Sequence, residues 1–216
     1  GFRKTEKFRA RFLIETLTEL HKNLKSLGIP LLVFNCKPEA KMGEIIADYR
    51  VQAVYLQKEW TQEETETLDA VIRSAPKGIS FAETYDQFLF HPEDIPYEHF
   101  ESIENVFTQF RKKCEKYSRV RSCLSAPEPI AQPLRPKHNT TIPALEDLGF
   151  KSFETDPRSA FPFSGGEEQA KLRIRDYFWE TRRLSYYKHT RNGLVGKDYS
   201  SKLSPWLANG SISARQ

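Results

Sequence analysis

Hydrophobic residues recur every three or four positions along the first part of the chain, as one face of a helix requires. They are Phe8, Phe12, Leu13, Leu17, Leu20 and Leu24. Gly28 then offers a stop, and Pro30 directs the chain away from the helix axis. We therefore predict a helix over residues 8–25 that ends in a glycine cap.

A different pattern follows, in which short continuous apolar runs alternate with helical segments. Residues 31–34 and 53–56 are predicted strands, because continuous apolar runs are typical of parallel strands covered on both faces, and residues 77–81 are predicted to form a third strand. Between them, one helix opens at Pro38 and another at Thr61, where the Thr-x-x-Glu pattern is that of a capping box. This alternation predicts the α/β class, with a parallel, doubly wound, Rossmann-like sheet.

The second half of the chain contains two changes in composition and predicted structure. A short amphipathic helix is predicted to begin at Phe107, and seven of the 13 prolines then fall within residues 127–162, which is the composition of a linker. From Ser164, with Glu167 three residues on, a long helical region begins behind a second capping box. The predicted domains are an α/β domain at 1–117, a linker at 118–163 and the start of a helical domain at 164–216.

Composition narrows the function classes a little further. The 216 residues are 38% hydrophobic and 29% charged, with a net charge of +4, which fits a folded domain and permits a polyanionic partner. Three cysteines without metal-ligand spacing predict neither a disulfide framework nor a zinc site, and they fit a reducing intracellular compartment. The chain has no apolar run long enough for a membrane span and no Gly-x-Gly-x-x-Gly, so neither a membrane partner nor a dinucleotide-binding Rossmann site is expected.

The side chains most suited to binding a ligand are concentrated near the C-terminus, where residues 198–208 read DYSSKLSPWLA. Three hydroxyls and a lysine fall within five residues, and Pro205 suits the first turn of a helix. Hydroxyls, an ammonium and the unpaired backbone N–H groups of a helix start can together bind a phosphate. A serine-capped helix without any ligand is the alternative interpretation of the same residues.

Residues 164–211 carry several further motifs in order: SGGEEQA, DYFW, LSYYK and TRNGL, followed by the hydroxyl cluster. This succession resembles the entry to the flavin domain of the cryptochrome/photolyase family, and most closely its DASH branch. Shorter similarities to the DASH antenna domain occur at residues 8–13, 36–39, 53–55 and 107–111. The similarity is greatest over residues 164–216 and least over residues 118–160.

The resemblance implies FAD as the cofactor, with its diphosphate held at the hydroxyl cluster. The implied flavin contacts are Tyr187, Ser200, Ser201, Lys202, Leu203 and Ser204. It also implies a methenyltetrahydrofolate antenna, hydrogen-bonded by Glu59 after the second predicted strand. The alternatives are plain helix packing for Tyr187 and, for Glu59, an acidic residue favoured by the dipole of the next helix. Trp60, beside Glu59, could stack on a pterin or block it.

The function that the resemblance implies is blue-light-dependent flavoprotein chemistry. In it, FAD transfers an electron to a cyclobutane pyrimidine dimer in DNA, mainly single-stranded, or the protein senses blue light. The cofactor performs that chemistry, so no catalytic residue is assigned in this chain. Basic residues that alternate with aromatic ones suit single-stranded nucleic acid, although their period mostly predicts a solvated face over an inward aromatic stripe. They are Arg173, Arg175, Arg182, Arg183, Lys188 and Arg191.

Two departures from the family pattern are expected to matter. The chain begins at the approach to the first helix, without the family's first strand, and it ends just inside the flavin domain. We therefore expect a chain truncated at both ends that is inactive alone, with unpaired sheet edges that favour self-association. The rival functions are a truncated non-enzymatic photoreceptor, a pigment-binding or protein-interaction module of the same family, and a nucleotide-binding α/β module outside it.

Overall fold

The computed structural model describes residues 5–216, which fold into two compact units. The first unit comprises the described residues up to Asn35 together with Pro127–Ile212. The second comprises Cys36–Ala126 and Ser213–Gln216. None of the helices in residues 5–216 is long and apolar enough to cross a lipid bilayer.

Helices and strands alternate between Pro38 and Thr84, residues 118–166 are mostly irregular, and short helical segments follow from Glu167. The helices are α1 (Lys7–Ser26), α2 (Pro38–Tyr49), α3 (Gln62–Ser74), α4 (Phe107–Tyr117), α5 (Glu167–Ile174), α6 (Tyr187–Thr190) and α7 (Ser204–Ala208). The strands are β1 (Ala53–Gln57) and β2 (Ser80–Thr84). A π-helical turn at Arg175–Glu180 continues α5, and a 3₁₀ turn at Arg183–Tyr186 leads into α6.

Helix α1 ends as its sequence predicts. The N–H of Gly28 donates to the Lys25 carbonyl at 3.1 Å and the N–H of Ile29 donates to the Leu24 carbonyl at 2.9 Å, which are the two bonds of a Schellman cap. Gly28 has a φ of 75°, a value that glycine reaches without steric cost. The predicted helix with a glycine stop is therefore confirmed.

The second unit is built on a small parallel sheet. Ala53 pairs with Ser80, and the parallel register continues through five residue pairs, in the α/β, Rossmann-like arrangement that the apolar runs predicted. Helices α2 and α3 approach so closely that a Cβ on Gly43 would collide with the backbone carbonyl of Ser74. Ile46 is the buried residue of α2.

The first unit has its core around Trp206 of α7, whose side chain is completely buried. The rings of Phe12, Phe161 and Phe163 surround it, with centroid separations of 5.8, 5.3 and 5.7 Å. The indole N–H donates to the Ser164 carbonyl at 3.2 Å, so the polar edge of the ring is satisfied as well. This packing joins α7 to α1 and to the start of the helical region.

The strand predicted at residues 31–34 is wrong. Within residues 5–216 the sheet contains β1 and β2 alone, and the N–H of Val33 donates to the Thr140 hydroxyl at 3.0 Å rather than to a strand. An apolar run forms a strand only where another strand supplies partners for its backbone groups, and the run itself does not reveal that partner.

The other two predicted strands form with differences. The third starts later than residue 77, at Ser80, because Lys77 and Gly78 form a turn. The second lies at β1 as predicted, but one of its faces is open, since Tyr55 is 80% exposed. The outer edges of both strands are therefore unpaired within the described residues.

The capping box predicted at Ser164 is also wrong. Helix α5 begins at Glu167, with Gly166 as its N-cap and without a capping side chain from that position. Thr61 does occupy the N-cap position of α3, but its side chain makes no capping hydrogen bond. The single long helix expected after Ser164 is shorter and passes into the π-helical turn.

Replacing Trp206 with Ala is expected to lower the free energy of unfolding by about 3–5 kcal/mol, because the lost indole leaves a cavity among three aromatic rings. Urea denaturation followed by circular dichroism measures this change. Trp179→Ala is the matched control, because Trp179 is 65% exposed and its removal should cost no more than about 0.5 kcal/mol. Equal losses in the two variants would contradict the central place of Trp206 in this core.

Candidate functional site

The hydroxyl cluster lies in the segment that leads into α7, residues 197–204, which we call the cradle loop. Ser200 and Ser201 are half-buried, and Ser204 is exposed as the first residue of α7. None of these three hydroxyls hydrogen-bonds to another residue within 5–216. Leu203 packs against the core cluster around Trp206. Apolar packing thus fixes the end of the loop while its hydroxyls stay available to a ligand.

The middle of the cradle loop is held by Arg173 of α5, which is only 2% exposed. Its Nε donates to the Ser201 carbonyl at 3.0 Å. Its Nη2 donates to the carbonyls of Lys197 and Ser200, both at 3.0 Å. Three backbone carbonyls of one loop therefore converge on one guanidinium.

The remaining nitrogen of Arg173 binds two carboxylates. Nη1 donates to Asp176 at 2.6 Å and to Asp198 at 3.0 Å, so all five N–H groups of the guanidinium are used. Asp198 also accepts from the Lys197 ammonium at 3.0 Å and lies 3.8 Å from Arg183. The buried charge is thereby paired inside the protein.

Because the peptide group is planar, these contacts also fix the direction of N–H groups in the loop. In a planar trans peptide, the C=O of one residue and the N–H of the next point in opposite directions, and residues 5–216 contain no cis peptide bond. Because the carbonyls of Ser200 and Ser201 are directed at Arg173, the N–H groups of Ser201 and Lys202 point away from it. Neither of them donates to another residue within the described part of the chain.

The backbone at Lys202 adds to this outward set of donors. Lys202 has a left-handed φ of 61°, which is uncommon for a residue other than glycine, and Leu203 follows with a right-handed φ of −76° and ψ of −15°. Successive N–H groups in such an alternation form a concave anion-binding surface. The Lys202 ammonium lies 3.3 Å from the centroid of the Tyr199 ring, so its charge stays beside the loop.

Tyr187 is the first residue of α6 and is 42% exposed. The last residue of that helix contacts the cradle loop, since the Thr190 hydroxyl donates to the Tyr199 carbonyl at 3.0 Å. Nearby, the Tyr177 hydroxyl is buried without a hydrogen-bond partner among residues 5–216. Burial raises the pKa of Tyr177, and Tyr187 adds to this effect. Buried hydroxyls are rarely unpartnered, so this corner of the site holds an unused polar group.

Helix α5, which carries Arg173, is itself positioned by α1. Three N–H groups at its start donate to side chains of α1, those of Gly165 to Glu15 at 2.7 Å, Gly166 to Thr16 at 3.2 Å and Glu168 to Glu19 at 2.9 Å. Carboxylates at a helix start are also favoured by the helix dipole. The cap that the sequence placed at Ser164 is therefore supplied from about 150 residues away in the chain.

Glu59 lies in the second unit, just after the carboxyl end of β1, and is half-buried. Its carboxylate accepts a hydrogen bond from the side chain of Gln57 through Oε1, while Oε2 has no partner within the described residues. Trp60 stacks on Phe88 with ring centroids 5.3 Å apart and lies 6.0 Å from the ring of Tyr85. Trp60 thus already has aromatic partners in the protein.

The basic residues predicted on the last long helix fall into two groups. Arg173 is buried, so its placement on a solvated or phosphate-contacting face is wrong, because all of its donors bind groups inside the protein. The others are exposed, namely Arg175, Arg182, Arg183, Lys188 and Arg191. Trp179 and Tyr186 are exposed as well, at 65% and 61%, because the π-helical and 3₁₀ turns break the period that placed the rings inward.

Comparisons with known proteins are consistent along the whole chain. A sequence model of the DNA photolyase family matches residues 1–133. Cryptochrome DASH of Xenopus laevis is 40% identical over 217 residues, covering 100% of this chain and 42% of that protein. Cryptochrome DASH of Gloeobacter violaceus is 40% identical over 216 residues, covering 100% and 43%. The solved structure of a cryptochrome from Synechocystis matches with a TM-score of 0.89 at 38% identity, covering 100% and 44%.

This chain therefore spans less than half the length of the relatives it matches.

The charges around Asp198 predict an acid-sensitive contribution to stability. Burial acts to raise the pKa of Asp198, but hydrogen bonds from Lys197 and Arg173 outweigh it and hold the pKa below its usual range. A carboxyl with a lowered folded-state pKa stabilises fully above its unfolded pKa, about 3.9 for Asp, and loses that stabilisation as pH falls toward the folded-state value.

We expect Asp198→Asn to lower the free energy of unfolding by a constant amount above about pH 5 and by progressively less below about pH 4. Urea denaturation of both proteins across this range measures the difference. A difference that stays unchanged down to the lowest pH would contradict the assigned hydrogen bonds of Asp198.

Proposed function

The chain belongs to the DNA photolyase family. From this premise we propose that it functions in a blue-light-dependent flavoprotein of the cryptochrome DASH type. The cradle loop binds the diphosphate of FAD in this proposal. The proposed activity is the repair of cyclobutane pyrimidine dimers, mainly in single-stranded DNA, or the sensing of blue light.

The observation that carries the proposal is the one-sided polarity of the cradle loop. Its carbonyls at Ser200 and Ser201 are directed inward at Arg173, whereas its hydroxyls and the N–H groups of Ser201 and Lys202 have no partner within residues 5–216. Clustered donors without partners suit an anion. A diphosphate fits such a cluster because it presents several charged oxygens side by side.

Each residue of the loop has a distinct role in this proposal. The serine hydroxyls and the two outward N–H groups donate to phosphate oxygens, and the nearby Lys202 ammonium offsets their charge. Leu203 keeps the loop attached to the Trp206 core, and Tyr187 approaches from α6. A bound flavin supplies light-driven electron transfer, so this chain contributes binding and orientation rather than a catalytic group.

The exposed basic and aromatic residues near α6 support single-stranded DNA as the partner. Arg182, Lys188 and Arg191 are exposed close in sequence to the exposed rings of Trp179 and Tyr186. Cationic side chains bind the phosphate backbone and aromatic faces stack on bases, without a need for a particular sequence.

We also propose Glu59 as the residue that binds a methenyltetrahydrofolate antenna. It follows the carboxyl end of a parallel strand, where ligands of α/β sheets are bound, and its Oε2 can accept an N–H from a pterin. Glu59→Gln should weaken folate binding about tenfold, because a charge-assisted hydrogen bond is replaced by a neutral one. Fluorescence titration measures it, with the exposed Glu83→Gln as the control, and equal affinities would refute the assignment.

A non-enzymatic photoreceptor, pigment-binding or protein-interaction module is the alternative. It is favoured by the outer edges of β1 and β2, which are unpaired within the described residues and can pair with a second chain. Light scattering that finds a concentration-dependent dimer, together with no binding of FAD, would favour this alternative.

The test of the principal proposal is titration of the purified chain with FAD, inorganic pyrophosphate and riboflavin by isothermal calorimetry. We expect FAD and pyrophosphate to compete for one site and riboflavin, which has no phosphate, not to compete. Replacing Ser200, Ser201 and Ser204 with Ala should weaken both phosphate ligands by at least about tenfold, because three donors to a charged acceptor are lost.

The matched control replaces three exposed serines outside the loop, Ser122, Ser125 and Ser152. That variant should bind both ligands as the unmodified chain does. Binding of FAD that pyrophosphate does not displace, or that survives loss of the three loop hydroxyls, would refute the cradle loop as the diphosphate site.

A further inference from the structure

Arg173 stands out because it is the only charged residue that is fully buried in the described part of the chain. A buried charge is costly unless it is paired and hydrogen-bonded. Here all five N–H groups have partners, and four of the five bonds go to the cradle loop, counting the carboxylate of Asp198. The hydrogen bonds that this buried guanidinium requires therefore determine the path of the loop.

The surroundings of the guanidinium suit arginine and no other cation. Its central carbon lies 4.9 Å from the ring centroid of Phe163 and 4.9 Å from that of Tyr177. A planar guanidinium can stack on rings while its edge donates in fixed directions. A lysine ammonium has only three donors and no plane, so it could neutralise Asp198 but could not also satisfy Asp176 and all three carbonyls.

We propose that Arg173 is a positioning residue for diphosphate binding, one that sets the donors of the cradle loop outward before any ligand arrives. This inference rests on the proposed function of the loop. Arg173 itself touches no ligand, since its donors are used within the protein. It acts through peptide orientation: with the carbonyls of Ser200 and Ser201 bound inward, the following N–H groups need no rearrangement to meet a phosphate.

Preorganisation of this kind saves the free energy that a flexible loop would lose when it becomes ordered on binding. The loop would otherwise be irregular, with Lys202 in an uncommon backbone conformation. Loss of the guanidinium should therefore loosen the loop without a ligand present and also weaken ligand binding. These two effects can be measured separately.

The first experiment needs no ligand. Lys197 and Lys202 both lie in the loop, so a lysine-specific protease reports its opening, and mass spectrometry assigns each cut. Arg173→Lys should raise cleavage after these two residues by roughly tenfold or more, because several charge-assisted hydrogen bonds are lost together. Cleavage after Lys151, an exposed lysine outside the loop, should not change.

Arg175→Lys is the matched control, because it makes the same substitution at an exposed site two residues away and should leave the cleavage rates after Lys197, Lys202 and Lys151 unchanged. An unchanged loop rate in Arg173→Lys would overturn the proposal. A rise that is equal at Lys151 would overturn it too, because it would report a general loss of stability.

The second experiment measures pyrophosphate affinity by calorimetry. Arg173→Lys keeps the positive charge, so an effect of charge alone predicts unchanged affinity, whereas positioning predicts a loss of about tenfold. Excess pyrophosphate should also slow loop cleavage in the variant, because a ligand stabilises the conformation that binds it. If the unmodified chain binds no pyrophosphate, the proposed function fails, while the cleavage result still shows whether Arg173 holds the loop.

Asp198→Asn serves where Arg173→Lys does not fold. It removes the charge of one partner of the guanidinium and leaves the three carbonyls, so loop cleavage should rise by a smaller factor, about two- to fivefold, consistent with one weakened hydrogen bond. Loop cleavage at the rate of the unmodified chain would contradict the proposal.

Discussion

A guanidinium inside a protein is tolerated only where every donor finds an acceptor. Arg173 meets this condition because it donates to Asp176, Asp198 and three carbonyls of the cradle loop. The direction of those carbonyls decides the direction of the N–H groups that follow them. The same interaction that satisfies a buried charge thus leaves an outward row of donors beside the serine hydroxyls. The site that we assign to a diphosphate depends on it.

Helix α1 supports this arrangement from the opposite end of the chain. Side chains of Glu15, Thr16 and Glu19 cap the start of α5, and Phe12 packs on Trp206 of α7. Helix α5, which carries Arg173, and helix α7, which ends the cradle loop, are therefore both fixed to α1. Because Arg173 holds carbonyls of the loop and α7 holds its C-terminal end, the loop has little freedom there, which suits a site that binds with few rearrangements.

Local patterns predicted part of this structure well. The apolar spacing and Gly28 located α1, Pro38 and Phe107 located the starts of α2 and α4, and the serine-lysine cluster drew attention to the loop. Features that depend on partners distant in the chain could not be predicted from local patterns. A capping box at Ser164 is correct by local rules, yet acceptors from α1 replaced it, and the run at 31–34 lacked a neighbouring strand. Arg173 resembled its exposed neighbours, because no local signal distinguishes a buried arginine from a solvated one when its acceptors are backbone carbonyls.

The chain belongs to the DNA photolyase family, and the orientation of its cradle loop can be observed residue by residue. The most direct measurement is a titration of the isotopically labelled chain with inorganic pyrophosphate, followed through backbone amide resonances. An outward row of donors predicts that the amides of Ser201 and Lys202 shift most, with saturation at one ligand per chain. Larger shifts at the exposed basic residues around α6, with those two amides unmoved, would show that the anion binds elsewhere and that the cradle loop is only a helix entry.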